Sequence, residues 1–273
     1  MKIYSDIALE LVNEQIETYE ISLKFGCKST TMKINSKKQE ALYCKRQGEY
    51  FLLDCFNACL LEPFVIKYVS EQIGIYLKDK IISLNGCKLS KIMVICLGNE
   101  NILVDSLGTR VFNSLISKSS NQVSDKIFAV SPNVYSKTNI PTFDYIQALK
   151  NKIKPEICLI IDSLSTTSVV RLGSSFQICD SGINAGSAYN KKSKLICKET
   201  LGLPVISIGV PFVLKLDDFI NEFLYSLSDD EEDKELFLRN FSKFQIVPKQ
   251  IDVLINNCSE IITNAINFAL CEI

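Results

Sequence analysis

The stretch EICLIIDSL (156–164) decides the fold. Its apolar residues Ile157 to Ile161 run without polar alternation straight into Asp162. A segment this short and this apolar reads as a strand covered on both faces, as in parallel sheets. Similar runs occur at KIMVICLG (91–98), IFAVSP (127–132) and LPVISIGVPFVL (203–214), with SSFQICD (174–180) placed before the last of them. Between the runs, LGTRVFNSLI (107–116) and FDYIQALKNKI (143–153) have helical spacing. Buried strands alternating with helices predict a three-layer α/β fold: a mostly parallel central sheet with helices on both faces.

Outward from this block the patterns change. Residues 5–18 read as an N-terminal helix, and the alternation in TTMKINS (30–36) and EYFLLDC (49–55) predicts two strands of a small β-rich N-terminal part. FVIKYVSEQIGIYLKDKI (64–81) places Val65, Tyr68, Val69, Ile73, Tyr76 and Leu77 on one helical face. Past residue 215 the chain reads as helical, interrupted by the acidic SDDEED (228–233), a solvated loop. Helix resumes after Pro248, with Ile251, Leu254, Ile255, Ile261, Ile262 and Ile266 as its apolar stripe. With no internal repeat or linker, residues 1–273 are expected to form a single domain.

Composition narrows the chemistry. The 273 residues carry 30 basic and 31 acidic side chains, a formal charge of −1. That balance argues against nucleic-acid or membrane-surface binding. No apolar run approaches the roughly 18 residues of a membrane span, and MKIYSDIALELVNEQ is too charged for a signal peptide. The 11 cysteines, odd in number and mostly within apolar stretches, read as free thiols in a reducing cytoplasm. Cys55 and Cys59 form an isolated C-x3-C, better explained by packing than by zinc. No cofactor or metal is expected. The chain contains 0 histidines. That removes Ser-His-Asp, Cys-His and H-E-x-x-H chemistry, leaving carboxylates, lysine, tyrosine or cysteine to carry a reaction.

Ligands of open parallel sheets bind at the carboxyl ends of the strands. There the sequence places Asn99 and Asp105, Asp162, and the polar cluster CDSGINAGSAYNKKSK with Asp180, Gly182, Gly186, Ser187, Asn190 and Lys191. Plainer roles compete. Asp105 could cap the helix beginning near Leu107, Asp162 could anchor a loop, and the glycines could only shape a turn. Two carboxylates at neighbouring strand ends can also share one proton. The ionised one then activates water while the protonated one hydrogen-bonds a scissile carbonyl oxygen. The same pair could instead hold a divalent metal that polarises the carbonyl; spacing does not choose between these.

At these residues the chain resembles the germination proteases of spore-forming bacteria. LGNENILVDSLGTRV (97–111) is similar to that family's G-L-G-N…T-P-D-A-L-G-P segment. IDSLSTTSVVRLGSSFQICDSGINAGSAYNKKSKLICKETLGLPVISIGVPFVL (161–214) resembles its I-D-A-L…D-[ST]-G-I-x-P-G-S-G-V-G-N…T-L-G-I-P-V-I-A-I-G-V-P block. SDIALE (5–10) resembles its T-D-L-A-x-E, and residues 246–270 its C-terminal helix. The resemblance implies an aspartic-type endopeptidase that degrades small acid-soluble spore proteins during germination. It further implies a phosphorylase/hydrolase-like fold related to hydrogenase-maturation proteases, a homotetramer, and a place in the cytoplasm of the forespore or spore core. The family's catalytic pair matches Asp105 and Asp162, with Asp180 as an accessory position. The chain departs from the pattern where T-P-D becomes Leu103-Val104-Asp105, and where a Gly/Pro-rich loop becomes Asn184-Ala185-Gly186-Ser187-Ala188-Tyr189-Asn190. Family members are made as zymogens with a short propeptide. Only residues 1–4 precede Ser5, so an absent or altered self-cleavage control is the expectation. A metal-dependent maturation-type peptidase and an inactive paralogue that binds spore proteins are the alternatives.

Overall fold

The computed structural model describes residues 5–11, 16–56, 62–86, 89–117, 126–132, 138–184, 194–215 and 244–271. Its centre is a 9-stranded sheet. The parallel block comprises β4 (Ile92–Cys96), β5 (Ile127–Val130), β6 (Ile157–Thr166) and β10 (Val205–Lys215), in the order β5-β4-β6-β10. Beyond β10 the sheet continues antiparallel through β7 (Ser175–Cys179), β3 (Gly48–Asp54), β2 (Lys28–Ile34) and β1 (Thr18–Ser22). The β-rich N-terminal part is therefore a wing of the central sheet. Two-residue strands β8 (Ile183–Asn184) and β9 (Leu195–Ile196) pair with each other, and β11 (Gln245–Ile246) pairs with the end of β10.

Period-two alternation along the central strands builds the layers. Ile92, Val94 and Cys96 of β4 and Leu159 and Ile161 of β6 enter one large core. There they meet α2 (Pro63–Asn85), α3 (Leu107–Ser117) and α6 (Ile251–Cys271), while the short α1 (Lys37–Tyr43) connects β2 to β3. The intervening Met93, Ile95, Cys158 and Ile160 pack on the opposite face against Phe143 and Ile146 of α4 (Thr142–Ile153) and Leu201 of the short α5 (Lys198–Leu201). Helix α2 opens with a proline in its first turn and buries Val65, Val69, Ile73, Leu77 and Ile81, spaced by four residues. Ile255, Ile261, Ile262 and Ile266 of α6 are buried as the periodicity predicts. Among the described residues no helix is long and apolar enough to cross a membrane.

Two expectations change. First, where residues 5–18 are described the predicted helix is replaced by a 3-10 turn at Ala8–Leu11, and the chain is already a strand at Thr18. Its polar groups are committed elsewhere. The Ala8 N–H donates to Gln177 Oε1 (2.8 Å), the Asp6 N–H to the Ser165 carbonyl (3.2 Å), and Glu10 accepts from Thr167 N–H (2.8 Å) and Arg171 (3.0 Å). Tertiary hydrogen bonds of this kind override helix propensity. Second, β6 extends to Thr166 because β10 pairs with it along its length, so Asp162 lies within the strand body. Cys55 of the C-x3-C is buried in the core, in keeping with the packing reading, with the Cys27 Sγ 3.4 Å from its own. The SDDEED run, Cys59, Gly186, Ser187, Asn190 and Lys191 lie outside the described residues.

Leu159, fully buried at the middle of β6, tests the layered core. Leu159→Ala is expected to lower unfolding free energy by about 2–5 kcal/mol, read as a lower urea midpoint at unchanged slope.

Candidate active site

The site is assembled by the exit of β4. The strand ends at Cys96, paired with Ile161, and the next residue, Leu97, donates its N–H to the Ile161 carbonyl (2.8 Å). Gly98 then takes φ +121°, and a side chain there would put its Cβ 2.0 Å from the Asp105 carbonyl oxygen. Only glycine fits a position that combines positive φ with so close a backbone approach. The loop returns on itself: Asn99 N–H donates to the Asp105 carbonyl (3.0 Å), Ile102 N–H to the Asn99 carbonyl (3.0 Å), and Asn101 N–H to Asn99 Oδ1 (3.1 Å). A 3-10 turn, Leu103–Asp105, packs against β6 and β10 and delivers Asp105 beside Gly98. Asp105 thus comes back to the strand that carries Asp162, one residue after Ile161. The capping role goes to Ser106, whose carbonyl accepts the Arg110 N–H (3.0 Å) to open α3.

Asp162 points to the α4 face, between two apolar clusters. Cys158 and Ile160 lie on one side, and on the other Leu164 packs with Ile7 and Leu52. Its partner in register on β10 is Gly209, which offers no side chain. Some of the Asp162 surface stays accessible, yet protein surrounds the carboxyl almost completely. Burial drives it well above the usual carboxylate range, the negative charges of Asp105 and Asp6 push the same way, and the Ser163 N–H (2.9 Å to Oδ1) opposes them. Burial raises Asp105 to about 6, against a lowering contribution from the Asn99 N–H. Burial thus raises both carboxyls, Asp162 under the added negative charges of Asp105 and Asp6.

Asn99 shares the loop with Asp105, as predicted. Asp180 does not join the pair. It follows Cys179, which aligns across β10 with Ile160, and β7 runs antiparallel to the block. Register therefore puts Asp180 two strands across and three residues back from Asp162, about 10 Å in each direction. Its carboxylate accepts the Glu49 N–H (2.8 Å) and pairs with Lys80 (2.7 Å). Lys80 also meets Glu49 (3.1 Å). Although burial raises Glu49, hydrogen bonds from Lys33, Tyr76 and Lys80 hold it at about 2. This network ties β3, α2 and the end of β7 together. Gly182 (φ +84°) makes the turn that presses against the Ile196 carbonyl, where a Cβ would sit 2.4 Å from the oxygen. The next residue, Ile183, packs on the clusters at both sides of Asp162, bringing this segment onto the face the carboxyl points to.

Sequence reasoning missed Asp6 and Gln177. Asp6 Oδ2 accepts from Ser165 N–H (2.8 Å) and Oγ (2.7 Å), three residues beyond Asp162. Gln177 Nε2 (3.0 Å) and Lys45 Nζ (3.0 Å) both donate to the Asp6 carbonyl. The signal available was the SDIALE likeness, hidden by reading the segment as a helix. Burial lowers the Lys45 ammonium, against the Asp6 charge that raises it.

The sign of the Asp105 perturbation gives a stability test. Its folded-state value of about 6 exceeds the ordinary 3.8, so the folded protein holds this proton more tightly. That contribution is complete below the ordinary value and is lost as pH rises through 6. Asp105→Asn is therefore expected to raise stability at pH 7 by on the order of 1–3 kcal/mol and to change it little near pH 3, measured by urea unfolding.

Comparison with known proteins gives one consistent relation. The model of the germination protease family matches residues 12–239. A germination protease of Caldanaerobacter subterraneus is 30% identical over 90% of this chain and 85% of its own. One from Clostridium acetobutylicum is 29% identical over 97% and 89%, and one from Bacillus pumilus 31% identical over 77% and 61%. Among solved structures, a NiFe hydrogenase maturation protease, HycI from Thermococcus kodakarensis, aligns with a TM-score of 0.40 at 15% identity, over 70% of this chain and 99% of its own. With its family model spanning most of the sequence and both Asp105 and Asp162 inside the matched residues, this chain belongs to the germination protease family.

Proposed function

We propose that this chain is an endopeptidase that begins the degradation of small acid-soluble spore proteins at germination, with Asp105 as base and Asp162 as acid. The observation that carries the assignment is the unequal setting of the two carboxyls, one near 6 and one held well above the usual range on adjacent segments. In this mechanism Asp105 takes a proton from water as the oxygen attacks the scissile carbonyl carbon. Asp162 gives its proton to the carbonyl oxygen as negative charge develops there. Proton return from Asp105 to the amide nitrogen releases the amine, and Asp162 is reprotonated as the carbonyl re-forms. Ile183 packs on the Asp162 face, the side from which the peptide is taken to approach. Family membership supports the substrate class, a single peptidase domain, a homotetramer and action inside the spore.

The departures at Asn184–Asn190 favour one competing reading, a paralogue that binds spore proteins without cutting them. Both readings are tested by incubating a purified small acid-soluble spore protein with wild type, Asp105→Asn, Asp162→Asn and Asp180→Asn. Wild-type cleavage that survives chelation is expected, with losses of about 100-fold or more in the first two variants. Asp180→Asn should lose stability before it loses turnover. Activity should rise through pH 6 as Asp105 ionises and fall where Asp162 loses its proton. Full activity in Asp105→Asn or Asp162→Asn removes the assigned roles, and tight binding without cleavage selects the paralogue.

A further inference from the structure

We propose that Cys27 and Cys55 are a disulfide site, closed by a peroxide, that ties the start of β2 to the end of β3. The last registered pair of β2 and β3 is Lys28 with Asp54, so Cys27 and Cys55 face one another one step further on. Directly opposed residues of antiparallel strands have Cα atoms about 4.5–5.5 Å apart, inside the range a disulfide spans. The sulfurs are 3.4 Å apart. Bond formation therefore needs a closure of about 1.4 Å, within reach of side-chain rotation.

The surroundings make the two thiols unequal. Cys27 follows directly on the exposed turn Lys24–Gly26, whereas Cys55 is fully buried and its N–H is held by the Ser174 carbonyl (2.8 Å). Hydrogen bonding by Cys55 lowers the Cys27 thiol against burial, and contact with Cys27 together with burial raises Cys55. Cys27 is thus the attacking sulfur. Its thiolate displaces alcohol or water from a peroxide O–O bond, giving a sulfenic acid. The Cys55 sulfur then attacks the Cys27 sulfur, forming the S–S bond and releasing water. Two thiols lose two electrons and the peroxide gains them.

The cross-link would close a loop between residues 27 and 55 beside Asp54, which accepts from Ser175 (2.5 Å) and Arg171 (3.4 Å). Its effect is on the wing and on the Arg171–Glu10 contact that holds the N-terminal segment, independent of the peptidase assignment.

Treatment of the purified full chain with hydrogen peroxide, alkylation under denaturing conditions and peptide mass mapping test this. The expected result is a Cys27–Cys55 linked peptide lighter by two hydrogens than the reduced pair, reversed by dithiothreitol, with a melting temperature several degrees above that of the reduced protein. Cys59→Ser should retain the linkage and Cys27→Ser should lose it. Separate alkylation of both residues overturns the proposal. So does their over-oxidation without a linked peptide, or a linkage from Cys55 to Cys258, whose Sγ lies nearby at the Gly173 carbonyl (3.6 Å).

Discussion

A carboxyl group set into a strand flanked on both sides within the parallel block is the constraint around which the rest is arranged. Desolvating an anion costs far more than burying its protonated form, so such a group keeps its proton unless a cation meets it. Around Asp162 the described chain supplies apolar walls, two further acids and a glycine in register, with a single backbone N–H to favour the anion. Everything that brings Asp105 close serves this setting: the β4 exit bonded to Ile161, the backbone contact at Gly98, and the 3-10 turn seated on β6 and β10.

Elsewhere the chain treats buried acids in the opposite way. Glu10 and Asp54, both 4% exposed at the side chain, meet Arg171. Glu49 and Asp180 meet Lys80. Both networks lie in the antiparallel wing and its contacts with the N-terminal segment and α2. Paired charges there contribute anchoring, while Asp105 and Asp162 at the parallel block meet no cation among the described residues. The contrast separates Asp180 from the pair even though all three aspartates fall in similar sequence motifs.

The parallel block was legible because covered strands leave a plain signature: the runs at 91–98, 127–132, 156–164 and 203–214 are strands at those places. In the sequence Asp162 stands out as a carboxylate directly after apolar residues, and Asp105 as an acid in the loop that leaves the first apolar run. What escaped was set by distant partners. The segment from Ser5 abandons helix for hydrogen bonds to Ser165, Thr167 and Gln177, all more than 150 residues away in sequence. The extension of β6 past Asp162 depends on β10, and Asp180's ion pair depends on Lys80. Local pattern carries no trace of such pairings.

The placement of β6 between β4 and β10 also has a temporal meaning. Ribosomes deliver β10 some forty residues after Asp162, and until then β6 has one open edge and Asp162 lacks its opposite neighbour. Asp6 waits for Ser165 in the same way. Contacts of this span form late and slowly. A nascent or truncated chain thus carries both aspartates without the dry enclosure that sets their protons apart. The enclosure that raises the two carboxyls is complete only once the final strand of the parallel block has docked.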